Sequence, residues 1–135
     1  MQELFRSDLT DIAREARFEV NIARYRKNIA IAVNPYDDNG PADRIIAAKV
    51  ADKLLTAENV LASFALCEID DAIRISARST GTINVQIILE RLGGGGHYDA
   101  AATQMGNTSM EKALIQLKES IDKFLDVDAK TTERN

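Results

Sequence analysis

In 135 residues the chain has one cysteine, one histidine, two prolines and no tryptophan, and only 5% of it is aromatic. A lone cysteine, Cys67, excludes a disulfide framework within the chain, and its place in the apolar run Ala62 to Ile69 marks it as a buried thiol. One histidine and one cysteine do not make a structural zinc site, which takes roughly four such ligands. No stretch approaches the ~18 apolar residues of a membrane span. The start, Met1-Gln2-Glu3, lacks the basic opening and apolar middle of a signal peptide. These absences lead us to expect a soluble chain suited to a reducing cytoplasm. A basic excess is missing too: 17 Lys and Arg stand against 21 Asp and Glu, for a net charge of −4 and a pI near 5.0. A long polyanion is a poor partner for such a surface, although a local basic spot would hold a phosphate or two.

What is present suits one domain, since 45% hydrophobic content supplies an ordinary core at this length. Apolar residues at helical spacing predict an amphipathic helix over roughly residues 3 to 20. The unbroken run Ile29 to Val33 predicts a strand buried on both faces. Asn34 to Pro41 is dense in turn formers and reads as a loop, with Pro41 suited to open the next helix, from about Ala42 to Thr56. Val60 to Ile69 and Ala72 to Ser79 flank Asp70-Asp71 and predict a hairpin. Asn84 is placed to cap a helix running to Leu92, which Gly93 would end. A short strand from Ala101 to Met105 and an amphipathic helix from Ser109 to Asp126 follow, then a polar tail. Interleaved strands and helices give an α/β fold, a mixed β-sheet covered by helices.

Against so few special residues, four consecutive glycines before the only histidine, Gly93 to His97, stand out. Glycine runs cost folding entropy, and a glycine-rich turn can aim successive N–H groups into one anion-binding concavity. A helix cap followed by a linker is the plainer alternative. Upstream, the two-residue strand period puts Arg74, Ser76 and Arg78 on one face and Ile73, Ile75 and Ala77 on the other. Arg74, nearer the hairpin turn, reads as a solvated charge. Arg78 reads either as a guanidinium gripping a phosphate through parallel hydrogen bonds or as a surface ion pair. Ser76 is placed to donate to a phosphate oxygen or to bond backbone. Asn84 is first a cap, and His97 at the lip of the glycines is a donor or, protonated, a positive charge. No catalytic triad or metal cluster is legible.

The motif run Ile75-Ser76-Ala77-Arg78-Ser79, Ile83-Asn84-Val85-Gln86, Gly93-Gly94-Gly95-Gly96-His97 and Ala100-Ala101-Ala102-Thr103-Gln104 resembles the C-terminal DHH-associated domain of the DHH phosphoesterase superfamily. It is most similar to that domain in the membrane-anchored bacterial cyclic-di-AMP phosphodiesterases, over roughly Asn28 to Asp126. The resemblance implies an upstream domain, absent here, that carries an Asp-His-His motif and two manganese ions and cuts the phosphodiester. This chain itself would bind no metal. It would hold a cyclic or short linear dinucleotide by its phosphate through Arg78, Gly94, Gly95, Gly96 and His97, with Ser76 and Asn84 as lesser contributors. Residues 1–27 would be a connector helix and linker, residues 28–126 the substrate-binding domain, and residues 127–135 a disordered polar tail. The chain would then bind without cleaving and make no membrane contact, while the exposed stripe of the first helix would suit a homodimer. Two alternatives stand beside this reading. One is the equivalent domain of a RecJ-like exonuclease or oligoribonuclease acting on single strands, which the low aromatic content disfavours. The other is an RNA-binding accessory like that of alanyl-tRNA synthetases.

Overall fold

The apolar run at Ile29–Val33 becomes β2, and it lies next to the longest apolar stretch, Ala62–Ile69, which becomes β3. The computed structural model describes residues 9–36, 40 and 42–134. Around this pair a six-stranded sheet forms in the order β1-β2-β3-β4-β6-β5, with β1 at Ile22–Tyr25, β4 at Ala72–Ser79, β5 at Gly95–His97 and β6 at Ala100–Gly106. Only β2 and β3 run parallel, because α2 (Asp43–Leu54) crosses over between them; every other pairing is antiparallel. The sheet is therefore mixed and helix-covered, as expected.

Two helices cover each face. On one side α2 and α1 (Leu9–Glu19) enclose Phe18, Ala32, Ile46, Val50, Ala65 and Ile69. On the other, α3 (Val85–Glu90) and α4 (Met110–Arg134) pack Val85, Ile88, Leu117 and Ile121 against Phe64, Ile73 and Ile75. Ser63 donates to the Ala51 carbonyl at 2.6 Å and ties α2 to the sheet, while Ser120 donates to the Ile88 carbonyl at 2.7 Å and ties α4 to α3. The coverage of the first face is partial, since among the described residues α2 packs chiefly on β3, β4 and β2 rather than on β6 and β5.

Several expectations shift in detail. The first helix is described from Leu9, and residues 3–8 of the expected span lie outside the described residues, as do 37–39 and Pro41 of the loop. That helix is folded onto the domain: Phe18 is buried, and Lys53 reaches Glu19 at 2.7 Å, while Leu9, Ile12 and Val20 stay exposed. The segment expected as a linker carries β1. Its hairpin to β2 turns through Arg26 and Lys27, both at positive φ, so no glycine announced it. The Asp70-Asp71 hairpin turn is confirmed, with φ of 53° and 60° as a type I′ turn requires. Helix α4 continues past Asp126 through the segment expected as a polar tail, up to Arg134.

Candidate functional site

On β4 the strand period separates two chemistries. Ile73, Ile75 and Ala77 enter the core beneath α3 and α4, and Arg74, Ser76 and Arg78 face the α2 side. Sheet register extends that polar face sideways: Ser76 lies opposite Ala102, which lies opposite Gly95, and Arg78 lies opposite Ala100, which lies opposite His97. Because Ala100, Ala102 and Gly95 have little or no side chain and, among the described residues, no helix covers this end, a cleft of about 260 Å³ remains. Its walls are Ala48 of α2 on one side and the Gly95-Gly96 backbone on the other, with Arg74, Ser76 and Arg78 along it. The α2 residues Arg44, Ala48 and Asp52, each four apart, occupy one stripe of that helix.

Two polar atoms in the cleft are left unanswered. Arg74 Nε and Ser76 Oγ are buried without a hydrogen-bond partner, although such groups are nearly always satisfied in a folded protein. Arg74 is thus half-buried rather than the solvated charge expected. Burial first, and then repulsion from Arg44 and Arg78, holds its guanidinium below the usual arginine range. Arg78 realises the ion-pair reading: its Nε donates to Asp52 Oδ1 at 3.0 Å and its Nη1 to the Ala77 carbonyl at 2.8 Å. Asp52 is 63% exposed, so that pair is accessible to solvent and open to exchange for another anion.

The glycine run divides into separate jobs instead of forming one cradle. Gly93, at φ 86°, ends α3 in a Schellman arrangement, with the Gly93 N–H on the Glu90 carbonyl and the Gly94 N–H on the Leu89 carbonyl. Gly94 and Gly96 press on β6, where a Cβ would collide with Thr103 and Ala101 respectively. Gly93 and Gly95 both have open space where a Cβ would be, but Gly93 needs its positive φ, whereas Gly95 lacks that constraint and faces the cleft. The last three residues of the run form β5, an edge strand the sequence did not suggest. His97 stands exposed at that edge, in the row of Arg78 but outside the cleft lining. Asn84 is a helix cap, accepting from the Ile87 N–H at 3.2 Å on the α3 side of the sheet, and it does not line the cleft. Of the residues singled out from the sequence, Ser76, Arg78, Gly95 and Gly96 line the cleft, and so does Arg74, whose period-two alignment with Ser76 and Arg78 was the available signal.

Known proteins place this geometry in a family. The DHHA1 domain family is matched over residues 27–127, a span that holds every residue of the cleft. The chain belongs to the DHHA1 domain family. Among curated relatives it is 39% identical over 127 residues to cyclic-di-AMP phosphodiesterase GdpP of Bacillus subtilis, a match that covers 93% of this chain and 19% of that protein. It is likewise 39% identical over 125 residues to cyclic-di-AMP phosphodiesterase PdeA of Listeria monocytogenes, covering 92% of this chain and 19% of the relative. The chain thus spans about a fifth of the length of these relatives. Among solved structures, an exopolyphosphatase-related protein from Bacteroides fragilis superposes with a TM-score of 0.73 at 20% identity, over 90% of this chain and 37% of that one. The α/β fold is therefore that of a DHHA1 domain. No helix among the described residues is long and apolar enough to cross a membrane.

The manganese pair implied by the wider superfamily does not fit the residues here. Among the described residues no three His, Cys, Asp or Glu side chains gather as ligands, and the cleft is lined by guanidiniums, which repel cations.

Proposed function

We propose that this chain is the substrate-holding DHHA1 part of a cyclic-di-AMP phosphodiesterase, a hydrolase that opens the ring to linear pApA. On this reading the chain binds dinucleotide phosphate in the β4–β5 cleft and cuts nothing by itself, the metal-dependent chemistry belonging to an upstream DHH domain of a longer, membrane-anchored parent that faces the cytoplasm. The observation that carries the reading is the pair of orphaned donors, Arg74 Nε and Ser76 Oγ, at the floor of an open, arginine-lined cleft. An anion rich in acceptors supplies what both lack, and charge-assisted bonds to guanidinium are the strong kind. The 39% identity to GdpP across nearly the whole chain supports cyclic-di-AMP as the parent's substrate.

Arg78 contributes by exchanging Asp52 for phosphate, and Gly95 contributes by leaving room for it. His97, at the edge of the same row, would reach a ligand that extends beyond the cleft. Gly94 and Gly96 act indirectly, by letting β5 lie close to β6, and Asn84 acts only on α3.

Isothermal titration calorimetry of the chain with cyclic-di-AMP and with pApA tests the reading. Saturable binding that the paired Arg78→Ala, His97→Ala variant weakens at least about tenfold is expected from the loss of a charge-assisted contact. Chromatography should find no product after incubation with manganese. Equal heats for the wild type and the paired variant would refute the site.

A further inference from the structure

The two arginines of the cleft are not equivalent. Arg78 is answered by Asp52 and the Ala77 carbonyl. Among the described residues no carboxylate pairs with Arg74: its Nε is buried without a partner beside the equally unpartnered Ser76 Oγ, and the two guanidiniums near it, Arg44 and Arg78, repel it, with only the Cys67 sulfur acting the other way. They are rooted four residues apart on one face of β4, a separation of about 13 Å at the usual strand rise. A guanidinium that holds a phosphate in parallel hydrogen bonds keeps it close to its own plane. Roots this far apart therefore suit separate phosphates better than a shared one.

We propose that Arg74 and Ser76 form a second anion position in the cleft, distinct from the one at Arg78, and that the cleft thereby selects ligands carrying two phosphates over ligands carrying one. This rests on the reading of the cleft as a nucleotide-phosphate site. At Arg74 no described carboxylate competes for the guanidinium, whereas the position at Arg78 opens only when Asp52 is displaced. Ser76 sits between the two and supplies a hydroxyl donor to the phosphate at Arg74. Arg44, exposed on α2, adds positive potential at that end of the cleft.

The test compares pApA, which has two phosphates, with ApA, which has one, by calorimetry on the full chain. Wild type is expected to bind pApA at least about tenfold more tightly than ApA, the usual worth of one charge-assisted contact. Arg74→Met keeps the side-chain bulk and is expected to collapse that ratio to about one while thermal unfolding stays near that of wild type. Arg74→Lys keeps the charge but loses the Nε donor, and it should restore only part of the ratio. A ratio that survives in Arg74→Met, with binding still lost in Arg78→Ala, would overturn the second position and leave the proposed function standing. Wild-type affinity for pApA in Arg74→Lys would overturn the role given to Nε. Failure of wild type to bind either dinucleotide would overturn both readings together.

Discussion

Gly94 and Gly95 are neighbours in one glycine run, and alanine at each should have opposite consequences. A Cβ at Gly94 would stand 2.5 Å from Thr103 Cβ and 2.9 Å from Thr103 Cα. Carbon atoms in ordinary contact are about 3.5–4.0 Å apart, so the overlap is about 1 Å. Thr103 cannot retreat cheaply: it is buried, it pairs with Ile75 of β4 on its other side, and its hydroxyl donates to the Leu92 carbonyl at 3.0 Å. Relief therefore has to come from peeling β5 off β6, at the upper end of the ~1–3 kcal/mol typical of overpacking. For a domain of this size that corresponds to a fall of about 10 °C in the thermal midpoint. Gly95→Ala meets nothing within 4 Å and should melt at or slightly above the wild-type temperature, because alanine restricts the unfolded chain. It should instead weaken dinucleotide binding, since its methyl projects into the cleft. Differential scanning calorimetry and titration calorimetry on the two variants read both effects. Gly94→Ala melting with wild type, or Gly95→Ala losing stability without losing affinity, would refute the division of labour within the run.

Asn84→Ala should cost about 1 kcal/mol in urea unfolding, the usual worth of an N-cap, and leave dinucleotide affinity unchanged because Asn84 lies outside the cleft. Asp52→Asn removes the anion that competes for Arg78 and should raise affinity for pApA several-fold at low salt; titration at two ionic strengths checks this, with the gain shrinking as salt rises. Burial pushes the Cys67 thiol up from about 9.0 to about 12, so its protonated form stabilises the folded state fully below about pH 9 and that stabilisation is lost as pH climbs toward 12. Alkaline unfolding followed by circular dichroism should begin at higher pH in Cys67→Ala than in wild type, once each is referenced to its own stability at pH 7.

Most of the fold was legible because its long elements carry strong periodicity. β3 declares itself through a nearly unbroken apolar run and β4 through alternation, and Asn84 and Gly93 bracket α3 with cap chemistry that worked as residue types predict. What escaped was short or held by tertiary contact. β1 is four largely exposed residues turned by two positive-φ residues that are not glycine, and it is anchored at a distance by Tyr25 donating to Asp122 at 2.9 Å. β5 is mostly glycine, and no propensity would make it a strand without β6 beside it. The cleft followed the same pattern. Its polar face is readable from β4, but Arg74 reads as solvated because nothing local reveals that Ala48 and the bare alanines of β6 enclose it. The glycines drew attention for a shared purpose, whereas packing assigns three of the four to backbone work.

The cleft has no loop of its own; it is printed by the pairing of β4, β6 and β5. A slip of β6 by one residue would exchange Ala100 and Ala102 for Ala101 and Thr103 on the cleft face, filling the space with a hydroxyl and a methyl and turning alanine toward the core. Fidelity of strand pairing during folding is thus the same quantity as competence of the site. The same slip would bring Gln104 opposite Ile75 in the core and carry Met105 out of it, so the packing that stabilises the domain also guards the space in which a phosphate would sit.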